Sequence, residues 1–379
     1  MKQESLASVF RTITGFLASL LLVGCAPPSG AMSKSGAALG ATNEPDPAVA
    51  TDEESSSRTP RIVTSVEYES VGWTYESRAG SHDGLQLTTP NYVIYTTKTT
   101  DSFIERLPLF YEAALANYTS ALADLPYPKD RLQTYLFRDR EQWMEKTREI
   151  LPGQANTFRN LGRGGFTTRG TAVLFYIDYW RSQKHHDTLA IAAHEGWHQY
   201  TQGTFKDSLP VWLEEGVATY MEGFRARRGL TIFSPSENFE RRSALRDAAR
   251  KAKDDPANAP LISLELIVTR TPQAFLSAGK SDLLTYYAQV WALVRFLAEG
   301  EDGRYRDGLE RVLLDAANGR LMSRLQSAAH KRGMAWRGPF STAIVGRLVV
   351  TEYFNGDFTA FERQYLAFID ELTAYGRGD

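Results

Sequence analysis

Residues 189–201 read Leu189-Ala190-Ile191-Ala192-Ala193-His194-Glu195-Gly196-Trp197-His198-Gln199-Tyr200-Thr201, and the rest of the chain is best read outward from them. The pattern predicts a helix from about His186 to Thr201, with Leu189, Ala193 and Trp197 as its packing stripe. His194 and His198 stand four apart, so a helix puts both imidazoles on one face, where they can hold a single Zn²⁺. Glu195 lies about 100° round from His194 and so beside such an ion. A carboxylate in that place can take a proton from an attacking water. The other histidines carry no such pattern. His185 and His186 are expected as exposed residues at the helix start, and His82 and His330 as surface or core residues.

A hydrolytic zinc site wants three protein ligands and one open position. The second informative stretch is Leu209-Pro210-Val211-Trp212-Leu213-Glu214-Glu215-Gly216-Val217-Ala218-Thr219-Tyr220. Pro210 suits the first turn of a helix, and the run after it is helical in pattern. The segment from His198 is long enough to end one helix, turn, and bring the next back against it. One carboxylate of that second helix can then complete a His₂Glu set.

These two motifs together resemble the gluzincin metallopeptidases. The Trp212-Leu213-Glu214-Glu215-Gly216 stretch is similar to the Trp-Leu-x-Glu-Gly segment of their aminopeptidase-like branch, and closer still to the small peptidase MA-like proteins of bacterial envelopes. The resemblance implies that Glu215, directly before the glycine, is the third ligand, and that Glu214 is a solvated or supporting carboxylate. It implies an α+β zincin-like fold. An N-terminal lobe would hold a mixed sheet and helices, a mostly helical lobe would follow, and the active-site cleft would lie between them. It also implies one Zn²⁺, a peptide or protein substrate, and Glu195 as general base. In such folds the strand before the metal helix lies at the cleft edge. Neither Phe166 nor Val173 is singled out for that edge.

Rival zinc classes do not fit. A metzincin needs glycine at 201 and histidine at 204, where this chain has Thr201 and Thr204, and a deformylase-type site needs a cysteine ligand, whereas the single cysteine is Cys25. In the thermolysin pattern an aspartate four residues after the third ligand orients the first histidine. Thr219 stands in that place here, so the orienting residue is left open. The family also implies a tyrosine that donates to the oxyanion. Tyr287, at the head of the apolar run Ala288-Gln289-Val290-Trp291-Ala292-Leu293-Val294, is the candidate, with Tyr286 beside it. The Lys-Gly that follows the family's tyrosine is Gln289-Val290 here, and tyrosines beside an apolar helix are more often core residues.

The N-terminus reads as an export signal. Lys2 and Arg11 precede the apolar run 16–23, which is too short for a comfortable membrane span. Leu22-Val23-Gly24-Cys25 resembles a lipobox, which implies lipidation at Cys25. The expected organisation is a signal peptide at 1–24, a flexible Ala/Ser/Gly/Pro-rich tether at 25–60 and a peptidase domain at 61–379. That domain divides into a lobe at 61–203 carrying the metal helix and a helical lobe at 204–379. The protein is then expected in the bacterial cell envelope, held to the membrane by its lipid. A net charge of −2, without a long basic run, speaks against a nucleic-acid partner.

Within the domain, 91–97 and 132–137 read as strands and 101–124 as a helix between them. Arg138 to Trp143 lead into another helix, and 164–176 form a glycine-punctuated hairpin. Residues 238–253 carry Arg241, Arg242, Arg246, Arg250, Lys251 and Lys253. They read as a solvated helix face, or as a cleft rim that favours acidic substrates. Helices near 283–298, 304–317 and 357–374 close the chain. The functional expectation is a zinc metallopeptidase. Its alternatives are a non-catalytic envelope protein that kept the fold and a zinc hydrolase of a non-peptide substrate. The intact base Glu195 speaks against the first alternative.

Overall fold

The order of the strands explains how the site is held. In a computed structural model, residues 61–374 are described except 101, 159–163, 178–184, 258–259, 337–341 and 355. Cys25, the signal segment and the tether lie outside the described residues. The first half builds a six-stranded mixed sheet from β1 (Glu69–Ser77), β2 (Gly80–Thr88), β3 (Tyr92–Thr96), β4 (Leu132–Phe137), β5 (Gly165–Thr168) and β6 (Thr171–Phe175). Its spatial order is β1-β2-β3-β4-β6-β5. The pairs β1–β2, β2–β3 and β5–β6 are antiparallel, and β3–β4 and β4–β6 are parallel.

Each parallel step needs a crossover. Helix α1 (Ser102–Tyr118) supplies one, and α2 (Arg140–Ile150) lies within the other. Along β3 the alternation is strict: Tyr92, Ile94 and Thr96 are buried and Val93 and Tyr95 half-buried, as a sheet covered mainly on one face requires. Asp139 caps α2 by accepting from the backbone N–H groups of Glu141 and Gln142. The β5–β6 hairpin turns at Arg169 and Gly170, both at positive φ, which matches the right-handed twist of the flanking strands.

The sheet has edge strands β1 and β5, and the one that packs against the helix bearing His194 is β5, not β6, the strand immediately before that helix. Phe166 therefore lies on the edge, while Val173 sits on an interior strand. Helix α3 (His186–Thr204), which carries His194 and His198, packs against α1, β5 and β6, and α4 (Val211–Met221) lies against it. Leu189, Ala193 and Trp197 are buried, as the stripe predicts. Gly196 matters for this packing. A Cβ there would come within 2.5 Å of the Tyr118 hydroxyl, which donates to the Ala193 carbonyl at 2.7 Å.

The second half is helical apart from a hairpin, β7 (Phe224–Arg227) with β8 (Leu230–Phe233). It comprises α5 (Phe239–Asp254), α6 (Leu264–Thr269), α7 (Pro272–Ala278), α8 (Lys280–Gly303), α9 (Arg306–Asn318), α10 (Leu321–Lys331), α11 (Thr342–Tyr353) and α12 (Phe358–Ala374). Helix α8 runs through the core, with Val290, Trp291, Leu293, Val294, Phe296 and Leu297 fully buried. It presses closely on α4. A Cβ at Gly216 would meet Val294 Cγ2 at 2.7 Å and the Val290 carbonyl at 2.9 Å. The glycine after Glu215 thus lets the two backbones approach, and this sets α8 and its tyrosines beside the third candidate ligand.

Candidate metal centre

Helix periodicity on α3 and α4 brings the three expected ligands together. His194 Nε2 and His198 Nε2 are 3.2 Å apart, and Glu215 Oε2 lies 3.5 Å from the first and 3.9 Å from the second. Donors bound tetrahedrally at zinc–nitrogen and zinc–oxygen lengths would stand about 3.3 Å apart, so the three atoms already have the spacing of one metal's ligands. Among the described residues, this trio is the group of His, Cys, Asp or Glu side chains whose donor atoms lie close enough together to hold a metal ion. The imidazoles and carboxylates of the site are 0–1% exposed, Glu195 included. The sequence leads to an open cleft here; the structure has these four side chains closed off from solvent.

The protonation pattern also calls for a cation. His194 Nδ1 lies 2.7 Å from Glu222 Oε1, and His198 Nδ1 lies 2.9 Å from Glu214 Oε1. Ionised carboxylates only accept, so each Nδ1 carries the hydrogen, and in neutral rings both Nε2 lone pairs face each other across 3.2 Å. Among the described residues, both oxygens of Glu215 are buried without a hydrogen-bond partner; His194 Nε2 lies 3.5 Å from Oε2. Three carboxylates, Glu195, Glu215 and Glu222, are buried here with one guanidinium, Arg241. Such a charge excess is costly in a protein interior unless compensated; a protonated His194 offsets part of it, and a divalent cation held by neutral imidazoles would offset it fully.

The same charge acts on the imidazoles in the metal-free protein. Burial lowers the pKa of His194, but the nearby carboxylates of Glu215 and Glu222, the latter hydrogen-bonded to Nδ1, outweigh it and raise the pKa to about 10. Burial likewise lowers His198, and Glu215 and Glu214 reverse this, leaving its pKa raised. Burial raises Glu222, yet the Arg241 charge and His194 bring it down to about 2, so it stays a carboxylate.

Glu195 lies beside the ligands, against the edge strand. Thr167 Oγ1 is 2.9 Å from both the Glu195 carbonyl and its Oε2, so β5 holds this carboxylate in place. Tyr287 is buried with its ring 6.3 Å from the His194 ring, edge to face. Tyr286 is also buried, stacked on Phe275 at 4.7 Å, and its hydroxyl has no hydrogen-bond partner among the described residues. Burial and then the charge of Glu215 push both phenols well above their ordinary pKa, so each remains a donor at neutral pH. Thus both tyrosines flank the site.

The sequence leaves the partner of His194 open, because Thr219 stands where an aspartate would serve. The Thr219 hydroxyl turns back on its own helix, to the Glu215 and Gly216 carbonyls. The partner is Glu222, the C-cap residue of α4, seven residues and so about two helical turns after Glu215. That spacing was the available signal. Glu214 is a supporting carboxylate: besides His198 it accepts from Thr201 Oγ1 at 2.7 Å. Thr167 carried no signal in the sequence, because only the sheet places it there.

The remaining histidines take no part in the trio. His185 and His186 are half-buried rather than exposed; His185 lies 3.1 Å from the Tyr176 hydroxyl, and His186 stacks on Phe224 at 4.5 Å. His82 stacks on Tyr75, and His330 is exposed. Compared with models of known protein families and with curated proteins, the chain matches none.

Proposed function

We propose that the protein is a zinc-dependent metallopeptidase of gluzincin type, with a zincin-like arrangement of sheet, metal helix and following helix. One observation carries this reading: a buried His194–His198–Glu215 donor set, spaced for one ion, with Glu195 next to it on the same helix. Zn²⁺ held by these residues would act as a Lewis acid and lower the pKa of a water it binds towards about 7. Glu195, fixed by Thr167, takes the proton of the attacking water and passes it to the leaving amine. Tyr287 donates its phenolic hydrogen to the oxygen that gains charge as the carbonyl is attacked. Glu222 and Glu214 keep the two imidazoles aimed with Nε2 inward. The lipobox-like Leu22-Val23-Gly24-Cys25 supports a location in the bacterial envelope on a lipid anchor. Among the described residues, no helix is long and apolar enough to cross a membrane.

The test is Glu195→Gln, with casein or a peptide mixture as substrate and a chelator control. The variant should still bind one zinc per chain and lose hydrolysis. Cleavage at the wild-type rate by this variant, or wild-type cleavage unaffected by the chelator, would overturn the reading.

A further inference from the structure

We infer that Arg241 is a positioning residue for this site, acting on His194 through Glu222 and on Tyr287 directly. The inference rests on the metal reading above. Arg241 belongs to the charged helix α5, most of whose other basic residues form a solvated face: Arg246, Arg250, Lys251 and Lys253 are exposed, and Arg242 is half-buried over the Phe239 ring. Arg241 alone turns inward and is 2% exposed.

Its Nε donates to Glu222 Oε2 at 3.0 Å and its Nη2 to Glu222 Oε1 at 2.9 Å. Asn238 Nδ2 adds a third donor to Oε2 at 2.7 Å, and His194 Nδ1 is the fourth, on Oε1. Four donors thus use the lone pairs of one carboxylate and fix its plane, and with it the ring of a metal ligand. Arg241 is itself anchored. Its backbone N–H donates to Asn238 Oδ1, and Asn238 Nδ2 also reaches the Thr219 carbonyl at the end of α4. On its other side, the guanidinium carbon lies 5.2 Å from the Tyr287 ring centroid. One buried cation therefore touches both the support of His194 and the ring of the expected oxyanion donor.

Stability alone does not account for this arrangement. Apolar side chains of similar volume are often at least as stable as a buried ion pair. Here one guanidinium nitrogen, Nη1, is also left buried without an acceptor among the described residues, a further cost to folding. What the pair gives is orientation. Only a planar fork holds a carboxylate by two parallel N–H bonds; lysine offers a point charge instead.

The experiment uses the full chain with Arg241→Lys and Arg241→Gln, and Arg250→Gln as an exposed control on the same helix. Zn²⁺ affinity is measured by competition with a chelator, and the ligand field by the visible spectrum of the Co²⁺ form. Folding is checked by circular dichroism. Arg241→Lys keeps the charge and so provides the test even where Arg241→Gln does not fold. It should be folded, bind Zn²⁺ about 10- to 100-fold more weakly, and shift the Co²⁺ spectrum. Arg250→Gln should match wild type in both. Wild-type Zn²⁺ affinity together with an unchanged Co²⁺ spectrum in Arg241→Lys would overturn the inference. If wild type itself bound neither ion, the metal reading would fail instead.

Discussion

Removing and restoring Zn²⁺ should move the thermal midpoint of this protein by an amount that its buried charge and its ligand set explain. Glu195, Glu215 and Glu222 are buried with Arg241 as the one buried guanidinium beside them, so a divalent ion brings the group to neutrality. An ion that needs the folded site stabilises it by about 4.1 kcal/mol when free Zn²⁺ is a thousand times the dissociation constant. A chain of this size gains roughly 2 °C per kcal/mol, so the midpoint should rise by about 8 °C, and by about 3 °C more for each further tenfold in free ion. Calorimetry in zinc buffers reads this directly. Glu215→Gln and His198→Ala each remove a donor and should make the midpoint insensitive to zinc. Glu195→Gln leaves all three donors in place and should keep the shift. A wild-type midpoint independent of zinc would refute the reasoning, as would a full shift in Glu215→Gln.

Three further substitutions probe separate parts of the account. Tyr287→Phe should keep the metal and lower kcat by about 10²- to 10³-fold; if Tyr286→Phe produced that loss instead, the donor would be the neighbouring phenol and the assignment to Tyr287 wrong. Thr167→Val removes the hydroxyl that holds Glu195 and should lower kcat by roughly tenfold with zinc affinity unchanged, a hydrogen bond to a charged group being worth about 1.5–3 kcal/mol. Gly216→Ala forces a methyl against the Val290 carbonyl and Val294, and should cost about 1–3 kcal/mol in a denaturant titration; unchanged stability would show that α4 and α8 are free to separate.

What could be read in the sequence was local. The His194–His198 face follows from the period of a single helix, and the expected strands at 91–97 and 132–137 and the hairpin at 164–176 follow from short apolar or β-branched runs. The β1–β2 hairpin escaped because its strands, with Gly72, Gly80 and Gly84 and mostly exposed side chains on β1, carry little apolar alternation. The β7–β8 hairpin escaped for a similar reason, since β7 buries only Phe224. Glu222 shares a helix with Glu215, but its pairing with His194 spans 28 residues and depends on how α4 lies against α3. Arg241 reads as one more charge on a basic helix. Helical spacing puts it on the face of Leu245 and Ala248, whereas Arg242 shares the face of Arg246, but its partners Glu222 and Tyr287 come only from the packing of α5 in the fold.

The central claim is that His194, His198 and Glu215 hold one zinc ion beside Glu195. Crystals of the full chain grown with Zn²⁺ and measured on both sides of the zinc absorption edge test it most directly. The account predicts a single anomalous peak per chain, about 2.0–2.2 Å from both Nε2 atoms and from a Glu215 oxygen, with Glu195 beside the ion but not bound to it. A peak held by Glu214 instead of Glu215, or no peak between the two histidines, would contradict it.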